Sequence, residues 1–110
     1  MDTNQPAFDA EKLQSFMGKL VGDMSAAMSG ALVLIGDRLG LYKALAEGGP
    51  ATSAELAQRT GTAERYVREW LSAQAASGYV EYNAATRRFS MTPEQALALA
   101  NDQSPVFVAG

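Results

Sequence analysis

The chain has no cysteine and no histidine, so any chemistry it performs must come from carboxylates, hydroxyls, phenols and cationic side chains. That excludes disulfides, the usual zinc sites, a thiol nucleophile and an imidazole base. Asp23 and Asp37 stand alone and read as solvated helix residues. No paired carboxylates, phosphate-cradling loop or metal-ligand spacing is visible. Gly36 and Gly40 lie inside a helical pattern rather than after a strand, so they form no nucleotide fingerprint. No catalytic, cofactor-binding or metal-binding residue is therefore assigned. Tyr42, Tyr66, Tyr79 and Tyr82 are candidates for a pocket wall, with ordinary packing as the simpler reading. Trp70 sits mid-helix among apolar neighbours and reads as core.

The arginines are the other group with chemical potential, because a guanidinium suits phosphate or carboxylate oxygens. From Arg59 to Arg88 there are five arginines against three glutamates, a local charge of +2 inside a chain of net −3. An acidic chain disfavours nucleic acid as a whole. If the protein read DNA, Thr62, Arg65, Arg68, Arg87 and Arg88 would make the contacts. The competing reading is that Glu64–Arg68 and Arg65–Glu69, each four residues apart on a helix, pair on a solvated face. On that reading Arg87 and Arg88 guard an edge strand by charge.

These residues need elements to hold them. One domain is expected from 110 residues, of which 47% are apolar and 19% charged. Met1 to Phe8 reads as a flexible arm, and residues 9–110 as the folded domain. Asp9 is a good N-cap for a long helix. Behind it Leu13, Met17, Leu20, Met24, Ala27 and Ala31 recur in steps of four and three, a heptad-like seam. Phe16, Val21 and Met28 widen it. Gly18, Gly22, Ala26 and Gly30 recur every four residues and would let another backbone approach closely. Interior glycines cost a helix about 1 kcal/mol each against alanine, so packing on a partner is expected to supply the stability. A homodimer interface is read at Leu13, Met17, Leu20, Val21, Met24 and Met28. Gly30 is expected to break or bend this helix. Ala31 to Glu47 is expected as a second one, kinked at Gly36 or Gly40 and stopped by Gly48, Gly49 and Pro50.

From Thr52 to Thr92 the pattern is short helix, glycine turn, longer helix and hairpin. Thr52 or Ser53 caps the first helix, and Thr60 and Gly61 end it. Thr62 is expected to cap the second, with Arg65 at its third helical position. Gly78 supplies a left-handed C-cap. Tyr79 to Tyr82 and Arg87 to Met91 read as two strands around a turn at Asn83 to Thr86. Thr92, Pro93 and Gln95 form the start of a last helix with a capping box. The fold class is mainly α: a winged helix-turn-helix with long N-terminal helices and a two-stranded β wing. The apolar tail after Ser104 reads as interrupted, as if the polypeptide continued.

No secretory region opens the chain, so the cytoplasm is expected. Ala31 to Ile35 is too short an apolar run to span a membrane, and none is expected as a partner.

The segments Gly36-Asp37-Arg38-Leu39-Gly40-Leu41-Tyr42, Ala54-Glu55-Leu56-Ala57, Arg65 to Leu71, Gly78-Tyr79-Val80 and Phe89 to Glu94 resemble the N-terminal domain of bacterial S-adenosylmethionine-dependent methyltransferases. They are similar to the winged-helix dimerisation domain of small-molecule O-methyltransferases, over about Leu13 to Val108. The resemblance implies a non-catalytic domain whose N-terminal helices intertwine between two subunits and cover a small-molecule acceptor. It also implies S-adenosylmethionine as cofactor of a parent enzyme, held by a doubly wound sheet of which this chain shows no part. The chain is thus expected to bind no cofactor and transfer no methyl group by itself. It would be a fragment or a stand-alone relative, and the reading frame beyond Gly110 would distinguish these. The runner-up is a winged-helix transcription regulator, and a third reading is a ligand-binding module between the long helices.

Overall fold

The computed structural model describes residues 7–103 and 107. By its contacts the chain divides into two units, Met1–Gly30 and Ala31–Gly110. Of the expected arm only Ala7 and Phe8 fall within the described residues, and of the apolar tail only Phe107.

Helix α1 runs from Ala10 to Arg38. Asp9 caps it as expected: its Oδ1 accepts from the Glu11 and Lys12 amides at 2.9 and 3.3 Å. Lys19 and Asp23 pair one turn apart at 2.8 Å, largely exposed. The expected break at Gly30 does not occur, and Ala31 to Glu47 is not one helix. A Cβ at Gly30 would touch nothing within 4 Å, and glycine alone weakens a helix without ending it. The break falls instead at Leu39 and Gly40, the latter one of the two positions where a kink was expected. Gly40 takes φ +72°, a left-handed conformation that stops α1 and lets α2, Leu41–Gly48, leave in a new direction. By length and composition α1 is also apolar enough to cross a membrane, a property the five-residue run considered alone did not reveal.

In the Ala31–Gly110 unit the expected caps mostly hold. Thr52 and Glu55 form a capping box at the start of α3, Ser53–Thr60, and Gly61 at φ +66° ends it. Thr92 and Gln95 form a second box ahead of α5, Pro93–Leu99, with Pro93 in the first turn. Such caps are each worth about 1 kcal/mol. Helix α4, Glu64–Ala76, departs from expectation, because its N-cap is Ala63 and no side chain caps it. The Thr62 hydroxyl lies 2.7 Å from that of Thr60, which donates to Leu56 O. Thr62 is therefore spent on the turn between the helices.

The wing is one antiparallel pair, β1 Glu81–Asn83 and β2 Arg88–Ser90, with Tyr82 opposite Phe89. Ala51 adds a rung on the other side of β2: its amide donates to Phe89 O at 2.9 Å, and the Phe89 amide donates back at 2.7 Å. This ties the wing to the loop before α3. Leu41, Tyr42, Leu45, Leu56, Val67, Trp70, Leu71 and Val80 form the core. Trp70 is core as expected, and its ring meets Tyr42 edge-on at 4.9 Å. Tyr66 and Tyr82 are exposed.

Candidate functional site

Two surfaces carry the residues singled out by sequence. The first is α1. Leu13, Met17, Leu20, Val21, Met24 and Met28 are 41–65% exposed. Their spacing of four, three, one, three and four residues stacks them as one stripe on a 3.6-residue helix. Leaving six large apolar side chains half exposed on one stripe is costly: covering the remainder of each would recover about 1 kcal/mol. A Cβ built at Gly18 or Gly22 meets nothing within 4 Å.

The second is the face made by α4 and the wing. Arg65 Nε lies 3.9 Å from Glu69, and Arg68 Nε 3.8 Å from Glu64, each one turn along α4. Ser53 also donates to Glu64, at 2.6 Å. Arg88 reaches back to Glu55 at 3.4 Å. The Glu55 carboxyl is held below its ordinary range, first by the Thr52 amide that donates to it, then by the Thr52 hydroxyl and the Arg88 charge. Arg59 donates to Gly49 O at 2.8 Å and pins the loop ahead of α3. Three of the four arginines proposed for DNA therefore face carboxylates of this same chain. Arg87 is the exception: among the described residues it has no carboxylate within 4 Å.

The structure brings Arg68 and Arg87 to one open cleft of about 730 Å3, together with Glu64, Ala75, Tyr82 and Phe89. It does not bring Thr62, Arg65 or Arg88 there. Tyr82 and Phe89 stack on its floor at 4.6 Å.

Sequence reasoning missed one polar group of consequence. Gln74 is buried, and the Tyr42 hydroxyl donates to its Oε1. Burial pushes the Tyr42 phenol above its ordinary pKa, with smaller contributions from Tyr79 and Asp37, so it stays a donor at any ordinary pH. Gln74 stands four residues from Trp70 and three from Leu71, an inward spacing that was its available signal. Among the described residues no cluster of acidic side chains could hold a metal ion. Gly36 and Gly40 are both committed: Gly36 packs against the Trp70 and Tyr42 rings, and Gly40 makes the helix break. Neither is available to cradle a cofactor phosphate, so no nucleotide site is built from them.

The helix pair α3–α4 with its wing defines the class, a winged helix-turn-helix domain, mainly helical with one two-stranded antiparallel sheet. The model of the Rv2258c-like winged HTH domain matches residues 26–101. The chain belongs to that family.

Solved structures of methyltransferases share the fold. CalO1, a methyltransferase in calicheamicin biosynthesis solved with SAH, is 32% identical, with a TM-score of 0.67 over 91% of this chain and 28% of its own. The mitomycin 7-O-methyltransferase MmcR is 26% identical, with a TM-score of 0.71 over 88% of this chain and 29% of its own. PigF, solved with SAH, is 20% identical with a TM-score of 0.73 over 84% and 26%, a likeness of fold alone. The chain spans between a quarter and a third of the length of these proteins. What it matches is the N-terminal domain of such enzymes. No curated protein matches the chain.

Proposed function

We propose that this chain is the non-catalytic dimerisation and substrate-covering domain of an S-adenosylmethionine-dependent methyltransferase that acts on a small molecule in the cytoplasm. The observation that carries the reading is the α1 stripe: six large apolar side chains, about half exposed, along one face of a helix. A helix carrying Gly18, Gly22 and Gly30 without a packed face is marginal in water. A second copy of the same stripe, related by a two-fold axis, would bury both faces at once. The likeness to CalO1 and MmcR supplies the enzyme class. On this reading the chain contributes shape and apolar cover to an acceptor pocket, while cofactor binding and methyl transfer belong to another domain.

Sedimentation velocity at tens of micromolar tests the dimer. A two-subunit species is expected, and a monomer would overturn it. Calorimetric titration with S-adenosylmethionine is expected to show no saturable heat for the chain alone; clear saturation would overturn the division of labour. A nucleotide-binding sheet encoded in frame after Gly110 would support the enzyme class.

A further inference from the structure

We propose that the cleft between α4 and the wing binds a small planar acid, an aromatic ring carrying one carboxylate. Asn83 Oδ1 accepts from the Ala85 and Thr86 amides at 3.0 and 3.4 Å and closes the turn. The turn then ends on Arg87 at φ +57°, the one non-glycine residue with positive φ among those described. Glycine or asparagine takes that conformation with little strain, whereas an arginine there is held against its preference. Turn geometry alone would not select it, and its guanidinium lines the cleft.

The cleft is chemically matched to such a ligand. Its floor is apolar, built from Ala75 and from the Tyr82 and Phe89 rings, which meet at a tilt of 41°. An aromatic body stacks on such a floor with specific geometry. Its rim carries two guanidiniums and one carboxylate, Arg68, Arg87 and Glu64, which leaves a single positive charge. Arg68 approaches Glu64 at 3.8 Å through Nε, a loose contact that leaves the rest of the fork open. Glu64 is also engaged by Ser53. One uncompensated charge over an apolar floor suits one carboxylate, and a guanidinium fork meets a carboxylate in two parallel hydrogen bonds. A phosphodiester backbone would want several unpaired cations in a row, and this face offers Arg87 alone among the described residues. The site lies wholly within the Ala31–Gly110 unit and does not rest on the α1 stripe.

Two-dimensional NMR titration with 2-naphthoate tests the site, with neutral 2-naphthamide as the comparison. The expected result is saturable movement of the Ala75, Tyr82, Arg87 and Phe89 amides with 2-naphthoate only. Arg87→Gly and Arg68→Gln should each weaken binding at least tenfold, and Arg65→Gln, outside the cleft, should leave it unchanged. Arg87→Gly should also melt no lower than the parent, since glycine relieves the left-handed strain. Equal binding of the amide, shifts confined to α1, unaltered binding by Arg87→Gly, or a lower melting point for that variant would each overturn the proposal. Competition by duplex DNA that also requires Arg65 and Arg88 would assign the face to nucleic acid instead.

Discussion

Gly36→Ala should unfold this domain more easily, although the same change in an ordinary helix strengthens it. A methyl group built there would stand 2.8 Å from Tyr42 Cε2 and 2.9 Å from Trp70 Cε2, closer than real Cβ atoms come to carbon. Neither ring can step aside at little cost. Trp70 is 2% exposed and donates from Nε1 to Leu32 O at 2.9 Å, and Tyr42 is 1% exposed and donates to Gln74. Overpacking of this kind costs about 1–3 kcal/mol. Misaligning the indole hydrogen bond adds about 1 kcal/mol, and the gain in helix propensity returns about 1 kcal/mol. The net loss is about 1–3 kcal/mol, and a domain of this size loses about 4–8 °C of melting temperature per kcal/mol. A double-mutant cycle isolates the cause. Trp70→Phe removes the indole atoms that the methyl strikes and is itself destabilising through the cavity and the lost donor. In that background only the Tyr42 contact remains, so Gly36→Ala should cost clearly less than in the parent, a coupling of about 1–2 kcal/mol. Urea unfolding followed by circular dichroism, at one fixed protein concentration because self-association shifts apparent stability, gives all four corners. Additive effects, or a Gly36→Ala variant as stable as the parent, would refute the packing argument.

Three further outcomes are expected. Leu20→Asp with Met24→Asp should weaken self-association at least about 100-fold, since two charges would enter an apolar stripe; equal sedimentation of variant and parent would refute the α1 interface. Stability should fall as pH drops below the ordinary carboxylate range. Glu55 and Asp102 both have folded pKa values below their unfolded ones, Glu55 through the Thr52 amide and Asp102 through the Lys43 hydrogen bond. Their contribution is therefore present above the unfolded pKa and lost as pH falls through the folded one. Glu55→Gln, which can still complete the capping box, should flatten that decline in melts between pH 6 and pH 3; an unchanged profile would count against the linkage. Any residual DNA affinity should fall with salt at a log–log slope near −1, about one phosphate contact from Arg87, and a slope steeper than about −4 in an anisotropy titration would restore the DNA reading.

Local rules made most of the architecture legible. Asp9, Thr52, Gly61, Gly78 and the Thr92–Gln95 box are short-range devices whose chemistry is complete within four residues, so spacing alone revealed them. The break between α1 and α2 was misplaced for a related reason. Gly30, Gly36 and Gly40 look alike in sequence, and only the tertiary fold separates them. One has open space above it, one is pressed under two rings, and one takes a left-handed turn. Thr62 was misjudged as a cap because a hydroxyl partner two residues away, Thr60, competed for it. Arg88 pairing with Glu55 crosses 33 positions and left no local trace.

The two surfaces differ in what they have left to bind with. On α4 and β2 most of the charges that a nucleic-acid reader would present face carboxylates one helical turn away or on α3, in exposed pairs that water screens. Displacing those carboxylates to reach phosphate would return little electrostatic energy, because the freed glutamates would then repel the same phosphates. The α1 stripe is of another kind: its six apolar side chains are about half exposed along one helix face. Apolar surface has no partner-specific charge to neutralise, so its driving force is intact until another apolar face covers it. The winged helix thus keeps its packing rules while three of its four candidate phosphate-reading arginines face carboxylates of the same chain. The surface with free energy still to gain from association is α1, together with the small cleft where Arg87 is left without a carboxylate of its own.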